Sequence, residues 1–167
     1  AEQFPVLDHM SGGRAILGIG GAWFETEHEA YGLAFGDGFP ERLRWLGEAL
    51  PIMRGRLHGE RPTAAGPRYT TKAVRNDPPP LQKRLPLLIG GGGEQVTLKL
   101  VAKYGDANNV GGGIENVKRK ESILRTHCSE AGRDQAEIER TTGRGVVVIR
   151  DSRQEARRVL GAMFEQN

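Results

Sequence analysis

The chain has 167 residues, 37% of them apolar and 27% charged, and a net charge of +3 from 24 basic and 21 acidic residues. That is the make-up of a globular domain able to bury a core, and the charge excess is too small to argue for nucleic acid as a partner. A single cysteine, Cys128, excludes an internal disulfide framework and fits a reducing, cytoplasmic compartment, and no apolar run approaches membrane-spanning length.

Residues 1–10 read as the end of an amphipathic helix, stopped by Ser11-Gly12-Gly13. The first residues have neither the basic start nor the apolar core of a signal peptide and do not begin with Met, so a piece of a longer chain is expected. Arg14 to Gly20 reads as a short buried strand that leaves through Gly20-Gly21-Ala22-Trp23. A short acidic helix and a glycine-rich loop follow, over residues 25–38. From about Pro40 to Leu57 the apolar residues Leu43, Leu46, Leu50, Met53 and Leu57 recur at helical steps. Pro40 suits the first turn, whereas Pro51 is expected to kink the helix.

Residues 58–84 are rich in proline and basic side chains and show little periodicity, so they read as a functional or flexible excursion. Leu85 to Ile89 is the next strand. It stops at four consecutive glycines, Gly90 to Gly93, and a helix from Val96 to Tyr104 starts just behind them. Asp106 to Val110 reads as a strand leaving through Gly111 to Gly113, and Ile114 to Ala131 as a helix. The segment Ile138 to Ile149 contains the strongest β run, Val146-Val147-Val148-Ile149, and Asp151-Ser152 caps a last helix.

Alternating strands and helices call for an α/β fold with a parallel sheet. Three of the four strands leave through glycines at their C-terminal ends, the side on which such proteins bind ligands. Four glycines at a strand-to-helix junction suit a phosphate, because backbone N–H groups approach an anion without side-chain clash and the helix start adds free donors. Two other readings fail. Gly18-x-Gly20 lacks the third glycine of a dinucleotide fingerprint, since Trp23 stands there; the Gly90 cluster lacks Lys-Ser/Thr, since Glu94-Gln95-Val96 follow. The histidines at 9, 28, 58 and 127 have no metal-ligand spacing, so no metal is expected. Cys128 reads as packing, and Ser11 and Ser152 as turn and cap residues. Trp23 has two readings, a wall for a planar ligand or a core anchor. Asn108 and Asn109 likewise either hydrogen-bond a ligand or make a turn.

Two stretches carry a family likeness. LDHMSGGRAILGIGGAWFETEHEAYG, Leu7 to Gly32, resembles the bacterial-luciferase-like flavin monooxygenases, especially the branch that uses the deazaflavin coenzyme F420. PLLIGGGGEQVTLKLVAKYGDANNV, Pro86 to Val110, is similar to a later segment of the same family. The resemblance implies a (β/α)8 barrel with its cofactor at the C-terminal strand ends, and a redox enzyme acting on a small organic substrate. F420 is the expected cofactor and FMN the alternative. The resemblance places Gly90, Gly91, Gly92 and Gly93 at the cofactor phosphate. Gly20, Gly21, Ala22 and Trp23 fall beside the ring or substrate, Asn109 and Val110 at the strand end near the cofactor, and residues 58–84 at substrate entry. It also implies a homodimer.

This sequence departs from the family in having Asn108 where an aromatic residue is common. Against the family pattern the chain is expected to be a single domain fragment with about four parallel strands of eight and helices outside, lacking the first three strands and the eighth. No catalytic residue is assigned, and weak cofactor binding is expected. The alternatives are a non-catalytic half-barrel, an interaction module whose basic 58–84 loop holds an acidic partner, and a phosphosugar-type barrel enzyme. The last would require a catalytic lysine or paired carboxylates at strand ends, and the sequence offers neither.

Overall fold

The computed structural model describes residues 3–143 and 146–165. Helix α1, Gln3–Ser11, ends where Gly12 and Gly13 turn back onto it, at φ +67° and +84°. Their N–H groups donate to the carbonyls of His9 and Asp8, and only glycine takes two such successive conformations without strain. Strand β1 is Leu17–Ile19 and α2 is Glu25–Ala30. Helix α3 spans Phe39–Leu57 with Pro40 in its first turn, and it continues through Pro51, which is exposed. Then come β4, Leu87–Gly90; α4, Thr97–Tyr104; β5, Ala107–Asn109; α5, Ile114–Glu130; a 3-10 turn, Gln135–Glu137; β6, Glu139–Thr141; and α6, Arg153–Glu165.

The excursion between α3 and β4 has structure of its own. Strands β2, Ala64–Ala65, and β3, Thr70–Thr71, form an antiparallel hairpin. It hangs from α3 through the carboxylate of Glu48, whose Oε2 accepts the N–H groups of Arg68 and Tyr69 at 3.0 and 3.2 Å. No periodicity announces strands of two residues.

The main sheet is parallel, in the order β1-β4-β5-β6. Its register aligns Leu17, Gly18 and Ile19 with Leu87, Leu88 and Ile89, and aligns Leu88, Ile89 and Gly90 with Ala107, Asn108 and Asn109. Because side chains alternate along a strand, one face carries Leu17, Leu87 and Ile89 and the other Gly18, Leu88 and Gly90. The first face meets Leu46, Leu50 and Leu57 of α3, Val101 and Ala102 of α4, and Leu124 and Cys128 of α5. Leu43, Leu46, Leu50, Met53 and Leu57 do form the expected stripe, and Leu50 and Leu57 are fully buried.

Two carboxylates fasten the N-terminal end of the sheet. Asp8, fully buried, accepts the main-chain N–H and the side-chain amide of Gln82 at 2.8 and 2.7 Å. Gln82 also donates to the carbonyl of Ala15, so α1, β1 and the approach to β4 close on one group. Asp106 Oδ2 accepts the N–H of Leu87 at 2.9 Å and lies 3.8 Å from His58 Nε2. Burial pushes the His58 pKa down, while the Asp106 charge pulls the other way.

The last strand is shorter than its sequence promises. Val146 to Ile149 lies outside every strand, with Val147 and Ile149 at 71% and 81% exposure. The reason is the lack of a neighbour. Beyond Thr141, β6 has only the N–H of Val110 to pair with before β5 passes into Gly111 to Gly113. β-branched side chains favour a strand only where another strand is there to receive it. The final helix forms as expected, with Ser152 Oγ accepting the N–H of Glu155 at 3.1 Å. Among the described residues, no helix is long and apolar enough to cross a membrane.

Candidate functional site

The strand face away from the helices opens into a cavity of about 760 Å³ at the C-terminal end of the sheet. Gly20, Gly21, Ala22, Trp23, Gly90, Gly91 and Asn109 all line it, with Leu88 and Phe39. Glycine at β1 and β4 keeps the two strand exits close: a Cβ on Gly20 would stand 3.3 Å from the carbonyl oxygen of Gly90. Trp23 is 85% exposed and stacked on Phe24, which rules out a core anchor. Ala22 has φ +55°, a conformation costing an L-residue about 1 kcal/mol. The strap holding it is braced by Arg42, whose Nε donates to the Gly21 carbonyl at 3.1 Å.

The four glycines differ in role. Gly90 is the last residue of β4. Gly91, at φ +117°, spends its N–H on the carbonyl of Asn109 at 3.0 Å. The N–H groups of Gly92 and Gly93 have no partner among the described residues. A Cβ on Gly93 would fall 2.8 Å from Thr97 Oγ1, at the first turn of α4, and one on Gly92 would touch Lys120 and Val110. Two adjacent free donors therefore stand next to the Thr97 hydroxyl at the start of α4, beside Lys120 and outside the lining of the central cavity.

Charge gathers behind this turn. Lys120 Nζ donates to Glu94 Oε1 at 2.6 Å and Arg119 to Oε2 at 2.9 Å. These hydrogen bonds hold the Glu94 carboxyl at about 2. His127 Nε2–H donates to the Glu94 carbonyl at 2.8 Å, fixing the turn to α5. With two cations on one carboxylate, the cluster carries a net positive charge.

Asn108 and Val110 face elsewhere. Asn108 is aligned with Ile89 on the helix side, only 2% exposed, and its Nδ2 donates to the carbonyls of Ile89 and Gly91 at 2.7 and 3.2 Å. It holds the glycine turn from behind and touches no ligand space in the central cavity. Val110 lines a separate recess of about 90 Å³ with Lys120 and Thr141. Asn109 lines the central cavity, but its Nδ2 donates to Thr141 Oγ1 at 2.8 Å. Sequence reading overlooked Thr97, Lys120 and Arg42. A threonine just past a glycine turn is a usable signal; nothing in the sequence pairs Lys120 with Glu94 or Arg42 with Gly21.

The whole chain, residues 1–167, matches the model of the luciferase-like monooxygenases. The chain belongs to that family. An uncharacterized protein of Mycobacterium tuberculosis is 27% identical over 134 residues, which is 80% of this chain and 46% of that protein. Among solved structures, monooxygenase RslO1 from Streptomyces bottropensis superposes with a TM-score of 0.77 at 22% identity, over 98% of this chain and 50% of that one. Coenzyme F420-dependent tetrahydromethanopterin reductase from Methanopyrus kandleri gives 0.66 at 21%, over 83% and 43%. EDTA monooxygenase from Chelativorans sp. BNC1 gives 0.79 at 16%, over 96% and 43%. At these identities the likeness is one of fold: four parallel strands of a luciferase-like barrel, with helices on the outer face. The chain spans about half the length of the relatives it matches.

Proposed function

We propose that this luciferase-like chain holds the phosphate-bearing end of F420, with FMN as the alternative, in an oxidoreductase acting on a small organic substrate. The observation that carries the reading is the pair of unpartnered N–H groups at Gly92 and Gly93, with Thr97 beside them. A phosphate there would accept both N–H groups and the Thr97 hydroxyl and face the first turn of α4. Lys120 and Arg119 neutralise Glu94, so no free carboxylate repels it. Gly20 to Trp23 supply a flat, side-chain-poor wall for a ring system, Ala22 and Trp23 at its rim. Bound F420 would supply a hydride donor or acceptor and reduced FMN would supply electrons to O2, while the protein supplies position and electrostatics. F420 is favoured because GIGGAWFE followed by IGGGGE most resembles that branch.

The reading of residues 58–84 as a grip for an acidic partner draws less support. Arg75 is paired with Asp77, and Arg68 lies over Trp45 at the β2–β3 hairpin, facing a separate cavity.

Amide NMR tests the proposal. Added F420 should shift the Gly92 and Gly93 resonances first, at lower concentration than FMN does, and Gly93→Ala should abolish the shift by driving a methyl group onto Thr97. Shifts confined to other residues, or a Gly93→Ala chain that responds unchanged, would falsify the phosphate assignment. FMN acting at lower concentration than F420 would reverse the cofactor preference alone.

A further inference from the structure

Behind the strap Gly20 to Ala22 lies a second cavity, of about 310 Å³, which shares Ile19, Gly20, Gly21 and Ala22 with the first. Helix α3, the loop after α2 and the β2–β3 hairpin border it, and it opens to solvent between Leu33 and the exposed Arg68 and Tyr69. Two arginines line it, each stacked on an aromatic ring. The Arg42 guanidinium lies 3.8 Å from the centre of Phe35, and that of Arg68 lies 3.9 Å from the centre of Trp45.

Neither guanidinium has a carboxylate partner among the described residues, and no Asp or Glu lines the cavity. Glu48, on the same helix, is turned to the main-chain N–H groups of Arg68 and Tyr69 instead. The remaining wall is largely apolar and aromatic, including Leu33, Leu46 and Tyr69. An arginine stacked on a ring is held in place and keeps its in-plane N–H edge for a planar anion. Two guanidiniums without a carboxylate partner, beside an apolar wall, fit one ligand chemistry, a carboxylate carried on a flat hydrophobic body.

We propose that this outer cavity is a second ligand site, for an aromatic carboxylate, with its ring against the apolar wall and its carboxylate met by Arg42 and Arg68. The inference stands on this cavity alone and does not use the phosphate turn. It has a mechanical corollary: the occupant bears on Arg42, which holds the Gly21 carbonyl, so it contacts the wall of the central cavity from outside.

The chain has two tryptophans. In Trp23→Phe, fluorescence therefore reports Trp45 alone. Benzoate should change that fluorescence saturably, and uncharged benzamide should not. Adding Arg68→Gln should weaken benzoate about tenfold, the equivalent of one charge-assisted hydrogen bond, while Arg68→Lys loses less. Leu33→Asp, which leaves both arginines in place, should also abolish binding by setting a like charge at the mouth. The proposal is overturned by the absence of a saturable response, by benzamide matching benzoate, or by unchanged affinity in both Arg68→Gln and Leu33→Asp.

Discussion

Asp8 is a buried acid with no cation paired to it among the described residues, held by N–H donors. Burial alone would raise its pKa, but donation from Gln82 and Ala15 outweighs it and leaves the carboxyl below its ordinary 3.8. A carboxyl whose pKa is lower in the folded than in the unfolded state stabilises the fold fully above the unfolded value, and the benefit drains as pH falls through the folded one. Asp8→Asn should therefore cost about 1–3 kcal/mol at neutral pH, because an amide N–H2 then faces donors. The gap between variant and parent should narrow below about pH 4. Urea unfolding at pH 7 and pH 3 checks this, and a gap independent of pH would assign the loss to packing. The role of Asp8 was invisible in sequence, where it sat unremarked inside a helix end; its partner lies 74 residues away. Cys128 was legible: its helical spacing indicated packing, and it is 1% exposed, with burial raising the thiol pKa.

Among the elements, long periodic helices and glycine-ended strands were readable because their signals are local. The stripe on α3, Leu43 to Leu57, spans about four turns, and three of the four strand exits are marked by their own glycines. The division of labour inside Gly90 to Gly93 was not readable, since it depends on β5 supplying a carbonyl to Gly91 and α5 supplying Lys120. That cross-element dependence gives an expected outcome. Lys120→Met leaves Glu94 with Arg119, whose hydrogen bond is the larger cause of its low value, so its carboxyl should titrate above about 2 but short of its ordinary 4.5. Carbon-13 NMR of the carboxyl reads this directly. A titration identical to the parent's would show that exposed Arg119 holds the charge unaided. The same long-range logic explains the failed strand at Val146 to Ile149, where residue type indicated β structure and the fold provided no pairing partner.

For the molecule as a whole, β1 and β6 are the edges of the main sheet, and an apolar run stands exposed just past one of them. Open edges with hydrophobic neighbours are templates for association. The 167-residue chain should self-associate with rising concentration, and Val147→Lys with Ile149→Lys should shift sedimentation toward the monomer. A parent that stays monomeric across the concentration range would refute this. The hairpin at 64–71 has the opposite character. It closes on itself and is fastened to α3 through Trp45 and Glu48, which stand one turn apart, and it pairs with no strand of the main sheet. Its tip is therefore a grafting point. Doubling the length of such a loop costs only about 0.6 kcal/mol in closure entropy, so foreign segments can be spliced between Gly66 and Pro67, ahead of the anchoring Arg68 and Tyr69, to recut the mouth of the outer cavity while the parallel register remains as it is.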